Sequence, residues 1–442
     1  MPTPLLLFAC APTPTAVLFD GLSAAPDEAV VTMLRAAWTQ DAAADTWLEF
    51  QYDGGEWEAS PSIARAEGHQ EEWILGVPSD TDVIFRVVAD QEGARSESAE
   101  ATARTGTLPA KLTEDLLGPT VSEWDEAATN EARWLLGSID ANGGAAYSGP
   151  FWLFVIDREG RIVWYRDLLY DTSMFPRVAR DGTHIAWDTR YFLDPSGETS
   201  VVHRSSLDGT RTLDVATPGL GWAWDETTDG AVLYDQHGED GRATLRSVAL
   251  DGTPTTLWDC TAWLAPLDPD PDHCFTNTVN WTESRDSVLW STYWGDFVVE
   301  IARSTGDVLW YAGSLDGGLV FDPPESNFEL QHYANYTPDG TLLVSTHIAD
   351  QEGQQRAREF TVGDDTLTEV WSFGAGVESW AKYSGEAVRL EDGHTLINYG
   401  TGGDVREIDA EGATVWHLSF GDERTLGHTQ LISDLYALNA GP

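Results

Sequence analysis

Two kinds of hairpin turn recur along the chain, and this repeat constrains the fold more than any other feature. One kind has an acidic residue, a Gly three positions on and then apolar residues, as in DREGRIVWY and DAEGATVWHL, with turns at positions 160, 209, 252, 306, 363 and 412. The other kind lies between successive copies of the first, as in RDGTHIAW, PDGTLLV and EDGHTLI. Because such turns join paired strands, two hairpins in about every 50 residues predict a six-bladed β-propeller over residues 108–442.

The second kind of hairpin occurs five times, one fewer than the first. The strand that completes the sixth blade would therefore come from an end of the propeller sequence. Either residues 127–157 or the C-terminal GHTQLISDLY could supply it. Closing the circle in this way would protect the sheet edges that a linear array exposes.

The residues before the repeat divide into two further segments. Residues 16–107 contain short strands separated by turns, as in TWLEFQYDGG and VIFRVVAD, and predict a small fibronectin III-like or Ig-like β-sandwich that serves as a spacer or docking module. Residues 1–15 form a leader and a Pro/Thr linker. The predicted fold class is therefore all-β, a sandwich followed by a propeller.

Acidic residues dominate the charge of the chain, with 73 Asp and Glu against 25 Lys and Arg and a formal net charge of -48. A field of this sign excludes nucleic acids and anionic membrane surfaces as partners. The simplest interpretation is a hydrated acidic surface. Calcium binding by the DPDPD run at 268–272 is the alternative, although its spacing is not that of an EF-hand loop.

The N-terminal sequence MPTPLLLFAC resembles the lipobox of a bacterial lipoprotein, in which Cys10 would carry the lipid. It has no Lys or Arg before the apolar run, so a plain signal peptide remains the alternative. Either one predicts export, to the periplasm or to the outer membrane or cell surface as a lipoprotein. Contact with a membrane is then expected only through the lipid anchor.

The other two cysteines, Cys260 and Cys274, flank one loop, and in an exported chain this arrangement predicts a disulfide. Metal binding by the pair is disfavoured because His273 alone lies nearby and no second Cys/His pair follows. Histidines elsewhere also lack metal-ligand spacing. We expect neither a metal site nor a cofactor.

In a propeller the innermost strands face a central channel, so equivalent positions from all blades converge there. Counting back eight or nine residues from each hairpin of the second kind gives the positions expected to line the channel mouth: Met174 or Phe175, Trp222 or Trp224, Asn277, His332 and the segment 383–386. This count places one histidine, His332, among aromatic and amide side chains.

Residues from about 108 to 435 resemble the bacterial arylsulfate sulfotransferases, a periplasmic family of six-bladed propellers. The resemblance rests on the Gln331-His332 pair, on QQRAREF after it, on TGDVLWYAGS and on YSGEAVRLEDGHTLINYG, with Asn277 at the position of a His-x-Asn element. The sequence departs from the family where Thr276 replaces its first His and where Tyr293 or Trp294 replaces an Arg.

The resemblance implies that His332 accepts sulfate from an aryl sulfate ester and passes it to a phenol through a covalent sulfo-histidine. It also implies a catalytic role for Asn277. The residues expected to contact the small aromatic ligand are Trp222, Trp224, Tyr293, Gln331 and Thr395.

Two other hypotheses remain open. His332 and Asn277 could be hydrogen-bonded residues of the innermost strands in a catalytically inactive propeller, which would bind a ligand or a protein at the cell surface. A quinoprotein-type propeller is weaker, because the arginine and acidic ligands of its cofactor pocket are not found in the sequence.

Overall fold

The computed structural model describes residues 16–116, 118–143, 147–169, 171–189, 200–238, 242–250, 252–348, 351–377, 381–421 and 424–442, and only the backbone of residues 348 and 351–353. The chain divides into two compact units, the first ending at Leu108 and the second beginning at Pro109. The described residues are mainly β-strands, and none of their helices has the length and apolarity needed to cross a membrane.

The first unit contains two antiparallel sheets. Its strands are β1 (Phe19–Pro26), β2 (Leu34–Gln40), β3 (Ala44–Tyr52), β4 (Glu58–Ala59), β5 (Ile63–Arg65), β6 (Gly68–Ile74), β7 (Asp82–Gln91), β8 (Ala94–Glu97) and β9 (Ala101–Arg104). One sheet has the order β1-β2-β6, and the other is built on the β3–β7 pair. Burial alternates along β2, where Leu34, Ala36 and Trp38 are buried, as expected for a strand with one face in a core.

The second unit begins with helix α1 and continues as a succession of strands with one further short α-helix. Its elements are α1 (Ala110–Leu116), β10 (Thr120–Trp124), β11 (Trp134–Asp140), β12 (Phe151–Asp157), β13 (Ile162–Leu169), β14 (Arg177–Val178), β15 (Ile185–Thr189), β16 (Val201–Ser205), β17 (Thr212–Ala216), β18 (Leu220–Glu226), β19 (Val232–His237), β20 (Ala243–Val248), β21 (Pro254–Asp259), α2 (Cys260–Leu264), β22 (Thr276–Thr282), β23 (Ser287–Thr292), β24 (Phe297–Ala302), β25 (Val308–Gly313), β26 (Val320–Asp322), β27 (Glu329–Tyr336), β28 (Leu342–Ile348), β29 (Gln351–Val362), β30 (Thr366–Phe373), β31 (Gly385–Arg389), β32 (Thr395–Tyr399), β33 (Asp404–Ile408), β34 (Thr414–Ser419) and β35 (Thr425–Ile432).

The strands of the second unit form a β-propeller of sheets that follow one another along the chain. In the described residues there are six such sheets, with the orders β13-β12-β11-β35, β14 to β17, β18 to β21, β22 to β25, β26-β30-β29-β28-β27 and β10-β34-β33-β32-β31. Each sheet has its innermost strand at one end of its order. These innermost strands are β35, β14, β18, β22, β27 and β31, and most of them lie next to the innermost strand of the neighbouring sheet.

Both ends of the second unit take part in closing the circle. The C-terminal strand β35 pairs with β11 from Thr425 opposite Asp140 to Ile432 opposite Trp134. Near the start of the unit, β10 pairs with β34 on the outer side of the last sheet. The C-terminal segment is therefore the closing strand, and no hairpin of the second kind joins it to β11 because the two come from opposite ends. This explains why that motif occurs only five times.

Amide side chains connect one innermost strand to the backbone of the next. Asn280 of β22 donates from Nδ2 to the carbonyl oxygen of Ala334 in β27 at 2.7 Å. Asn335 of β27 donates in the same way to the carbonyl oxygen of Ala387 in β31 at 2.8 Å. A buried carbonyl without a partner is costly, so these amides fix the position of each inner strand relative to its neighbour.

The predicted disulfide between Cys260 and Cys274 is confirmed, with an S–S distance of 2.00 Å. Cys260 begins α2 and Cys274 ends a short 3-10 turn, Pro271–Cys274. Both are fully buried in the apolar core beside Trp258 and Trp290. The bond closes the loop that carries the acidic DPDPD run.

Replacing Cys260 and Cys274 together by Ala should lower the free energy of unfolding of the second unit by about 3 kcal/mol, because closing a loop of this length restricts the unfolded chain. Urea titration followed by Trp fluorescence would measure the loss. Wild-type protein held under reductant is the control and should lose a similar amount. A double variant as stable as the oxidised wild type would contradict the expectation.

Candidate functional site

The residues expected at the channel mouth lie together in the structure. A small cavity of about 20 Å³, called here the histidine cavity, is lined by Met174, Trp222, Asn277, His332, Gly385 and His428, among others. These side chains come from the innermost strands or from the loops just before them. The volume has room for about one water molecule.

Irregular pairing directs these side chains toward the axis. The register of the innermost strands shifts around Trp222 in β18, at Asn277 in β22, at His332 in β27 and at Gly427–His428 in β35. A β-bulge changes the direction in which a side chain points and leaves backbone groups without ladder partners. Gly427 is required in β35, because a Cβ atom there would lie within 2.1 Å of the Ser138 hydroxyl oxygen and 2.3 Å of the Met174 carbonyl oxygen.

Buried carboxylates supply the missing partners at two of these bulges. In β18, the N–H groups of Trp222 and Ala223 donate to Asp235 Oδ1 at 2.8 and 2.6 Å. In β35, the N–H group and hydroxyl of Thr429 donate to Glu386 Oε1 at 2.6 and 2.8 Å. Each bulge is therefore held by an acidic side chain from a neighbouring strand.

Glu386 also fixes the ring of His428, whose Nδ1 lies 2.6 Å from Glu386 Oε2. Burial alone would raise the pKa of Glu386, but the His428 charge and the hydrogen bonds from His428 and Thr429 outweigh it and lower the pKa. The carboxylate is thus held in its charged form at the edge of the histidine cavity.

The Asn277 amide determines which ring nitrogen of His332 accepts a hydrogen bond and which carries the proton. Asn277 Nδ2 donates to the carbonyl oxygen of Gln331 at 2.6 Å and lies 3.0 Å from His332 Nδ1. The carbonyl oxygen of Gln331 can only accept a hydrogen bond, so the side-chain atom of Asn277 beside it is the amide nitrogen Nδ2. The second hydrogen on this nitrogen points to His332 Nδ1. A neutral His332 then accepts at Nδ1 and carries its proton on Nε2. Among the described residues, His332 Nε2 has no hydrogen-bond partner.

Burial keeps His332 neutral. Desolvation, with a smaller contribution from the nearby His347, lowers the pKa of His332 to about 3. Burial likewise lowers the pKa of His347 to about 4, and the two rings lie 5.8 Å apart between centroids. No Asp or Glu of the described residues forms an ion pair or hydrogen bond with His332, so no negative charge opposes the desolvation.

The backbone beside His332 is strained. Tyr333 and Leu330 both have positive φ, 45° and 46°, although neither is a glycine. Such conformations cost of order 1 kcal/mol or more and occur mainly where the surroundings fix them, as at binding and active sites. The strain and the two register shifts in β27 single out this strand from its neighbours.

Aromatic rings surround His332 at this end of the channel. The Tyr293 ring lies 5.0 Å from His332 and 5.8 Å from Tyr383, between centroids. The Tyr147 ring packs edge-on against Trp222 at 4.8 Å. Tyr147, Trp222, Tyr293 and Tyr383 are called here the aromatic rim. Burial, together with the nearby Tyr383, raises the pKa of Tyr293 to about 12, so its hydroxyl stays protonated.

The other residues expected to contact a ligand lie elsewhere. Gln331 is buried and donates from Nε2 to the carbonyl oxygens of Thr292 and Phe297. Trp224 is fully buried in the core between the second and third sheets. Thr395 begins β32 opposite Arg389 and is buried, and it does not line the histidine cavity. The structure therefore places the side chains of Trp222 and Tyr293 beside His332 and Asn277. It does not place the side chains of Gln331, Trp224 and Thr395 there.

The expectation of a single histidine at the channel mouth is wrong, because His428 also lines the cavity and His347 lies beside His332. His428 was missed because the closing strand has no hairpin of the second kind from which to count. Three arginines could have supplied charge: Arg177 is paired with Asp225 at 3.1 Å and Arg389 with Glu359 at 2.5 Å, whereas Arg356 forms no ion pair with a described residue. In the described residues no group of three or more potential ligands could hold a metal ion.

Comparisons with known proteins add little beyond the architecture. The sequence matches no protein-family model, and no curated protein is significantly similar to it. Among solved structures, a streptogramin B lyase has 11% identity and a TM-score of 0.41, covering 72% of this chain and 99% of its own. The nidogen/laminin complex has 10% identity and a TM-score of 0.41, with 67% and 97% covered. The propeller domain of Cps50 (Swd1) from Myceliophteria thermophila has 13% identity and a TM-score of 0.38, with 62% and 81% covered. At these scores the similarities carry no argument about function.

Replacing His332 by Gln should make the stability of the second unit less sensitive to acid. With a folded pKa of about 3, His332 stays neutral while the unfolded chain takes up a proton below about pH 6.5, so its stabilising effect is complete above that pH and falls as the pH drops. Between pH 7 and pH 5 the wild type should lose about 2 kcal/mol more than the variant. Urea titrations at both pH values measure the difference.

The matched control is His69→Gln, because His69 has an exposed side chain in the first unit. This variant should keep the pH dependence of the wild type. Equal acid sensitivity in wild type and His332→Gln would show that His332 is not held neutral by burial.

Proposed function

We propose that this protein is an exported propeller that binds a small aromatic ligand, a phenol or aryl ester, at the aromatic rim, without carrying out chemistry on it. The observation that carries the proposal is the state of His332. It is neutral, its Nδ1 is occupied by Asn277, and its Nε2 is a hydrogen-bond donor without a protein partner among the described residues.

The rim supplies the contacts that an aromatic ligand requires. Rings pack favourably edge-to-face or offset at centroid distances of 4.5–7 Å, and Trp222, Tyr293 and Tyr383 are half-buried or buried rings at one end of the channel. An oxygen of the ligand would accept the hydrogen bond from His332 Nε2. Binding sites of this kind combine apolar walls with a few fixed polar groups.

Three features of the geometry favour binding over sulfuryl transfer. A histidine nucleophile needs a free lone pair, and the lone pair of His332 faces Asn277. Transfer also needs donors or cations for the sulfuryl oxygens, and no Lys or Arg of the described residues lines the histidine cavity. Finally, the histidine cavity has room for about one water, less than a sulfuryl group requires.

Two finer statements about the fold are part of the proposal. We interpret the six sheets of the second unit as the six blades of one propeller, which the six hairpins of the first kind and the β35–β11 pairing support. We interpret the first unit as an Ig-like or fibronectin III-like sandwich, which its two antiparallel sheets with alternating burial support.

Export and the lipid anchor are also proposals. The Cys260–Cys274 disulfide supports export, because disulfides persist mainly in oxidising compartments. The acidic composition suits such surroundings but does not decide between periplasm and cell surface. Cys10, the proposed site of lipidation, lies outside the described residues.

Replacing Tyr293 by Ala should weaken binding of 4-methylphenol about tenfold, because the loss of one stacking ring costs about 1.4 kcal/mol. Tyr293→Phe keeps the ring and should bind like the wild type. Isothermal titration calorimetry measures the affinities.

Trp124→Ala is the control for loss of an exposed aromatic ring, since Trp124 lies on the outermost strand of its sheet. It should leave the affinity unchanged. Failure of the wild type to bind 4-methylphenol at millimolar concentration, or equal affinity in Tyr293→Ala, would contradict the proposal.

Sulfuryl transfer is the second candidate, favoured by the neutral imidazole of His332 at the position that resembles a sulfotransferase nucleophile. In that reaction an imidazole nitrogen forms a bond to sulfur as the bond from sulfur to the aryl oxygen breaks, and a second phenol then takes the sulfuryl group.

The two candidates are separated with 4-nitrophenyl sulfate as donor and phenol as acceptor. We expect no release of 4-nitrophenol above background by the wild type. Release by the wild type that is lost in His332→Ala, with the variant folded, would establish the second candidate instead.

A further inference from the structure

A second and larger cavity lies in the channel on the other side of Tyr333 and His428. These two side chains line both cavities, and their rings stack with centroids 5.3 Å apart. The larger cavity, called here the arginine cavity, has a volume of about 400 Å³ and is lined by Arg177, Arg180 and Asp225, among others. Cavities that bind small organic molecules begin at about this size.

Two guanidinium groups share one carboxylate in this cavity. Arg177 Nη1 lies 3.1 Å from Asp225 Oδ1, and Arg180 Nη2 lies 2.7 Å from Asp225 Oδ2. Burial alone would raise the pKa of Asp225, but the charges of Arg177 and Arg180 outweigh it and lower the pKa. The carboxylate is therefore ionised, and the three groups together carry one excess positive charge.

The other acidic groups at the cavity have partners of their own. Glu226 Oε1 lies 2.6 Å from Arg204 Nε, and both side chains are buried. Glu386, next to the cavity, accepts hydrogen bonds from His428 and Thr429. The excess charge of the Arg177–Asp225–Arg180 group is thus not cancelled by a carboxylate within hydrogen-bonding distance.

Two donors at the cavity lack acceptors. Arg177 is buried, and its Nε has no hydrogen-bond partner among the described residues. The Tyr333 hydroxyl likewise forms no hydrogen bond with any described residue, and burial raises the pKa of Tyr333 to about 12, which keeps its proton in place. Buried donors are nearly always satisfied, so the Tyr333 hydroxyl points to an acceptor that the chain itself does not provide.

The rest of the cavity wall is largely apolar. Val388 of β31, Leu396 of β32 and Leu431 of β35 contribute to it. A ligand that fills the cavity would therefore combine an apolar part with one anionic group. The planar fork of a guanidinium matches a carboxylate particularly well.

We propose that the arginine cavity binds a small organic carboxylate, with the carboxylate on Arg177 and Arg180 and the apolar chain against Val388, Leu396 and Leu431. The site is separate from the aromatic rim and does not depend on the function proposed there. The acidic surface of the protein opposes the approach of an anion, so recognition rests on the local excess of positive charge.

Hexanoate, with hexanamide as the neutral analogue of the same size, tests the proposal by isothermal titration calorimetry on the full chain. Hexanoate should bind at least tenfold more tightly than hexanamide. Arg177→Gln should reduce the affinity for hexanoate at least tenfold. Arg161→Gln, which removes a guanidinium from a partly exposed ion pair with Asp157, is the matched control and should leave it unchanged.

A second variant, Val388→Phe, keeps every charge but fills part of the cavity, and it should also weaken hexanoate at least tenfold. If Arg177→Gln does not fold, the hexanoate affinity of Val388→Phe provides the test of the proposal. Tyr293→Ala should bind hexanoate like the wild type, which distinguishes this site from the aromatic rim. The proposal is overturned if hexanoate does not bind at millimolar concentration, if hexanamide binds equally well, or if folded Val388→Phe binds hexanoate like the wild type.

Discussion

Backbone pairing between the C-terminal strand β35 and the early strand β11 closes the circle of sheets, and the channel depends on it. The pairing gives the first sheet its innermost strand and places His428 and Thr429 at the axis. It also brings the Thr429 donors to Glu386, which would otherwise be a buried carboxylate with fewer partners. Without closure, two sheet edges would be exposed and both cavities would lack a wall.

Buried carboxylates give the acidic composition a second role besides hydration of the surface. Asp235 and Glu386 accept hydrogen bonds from backbone N–H groups at bulges of β18 and β35. Asp225 accepts from the N–H group of Trp281 on the next innermost strand, at 2.8 Å, while it pairs with two arginines. Hydrogen bonds to a charged acceptor are stronger than those between neutral groups, so these acids stabilise the irregular backbone that shapes the channel.

Turn chemistry made much of the fold predictable. The hairpin glycines of both motifs lie between paired strands, and Gly340 and Gly393 have φ of 81° and 90°, which a side chain would oppose. Counting from these turns placed Asn277 and His332 at the axis. The count could not choose between Trp222 and Trp224, because residues two apart lie on the same face of a regular strand. The bulge in β18 separates them, and no turn motif signals that bulge.

The chemistry of the site was less accessible from the sequence. The orientation of the Asn277 amide is set by the carbonyl oxygen of Gln331, a backbone group on another strand whose position no local pattern encodes. The ion pair between Arg177 and Asp225 likewise depends on packing between sheets. Residue types can suggest a nucleophile, but hydrogen bonds decide which nitrogen of His332 has a lone pair.

The tautomer of His332 is therefore the most direct test of the account, and nitrogen-15 NMR of the imidazole measures it. A spectrum with the proton on Nε2 and an unprotonated Nδ1, unchanged between pH 7 and pH 5, is the predicted result. A proton on Nδ1 with a free Nε2 would contradict it and restore His332 as a candidate nucleophile, and a charged imidazolium in this pH range would contradict it as well.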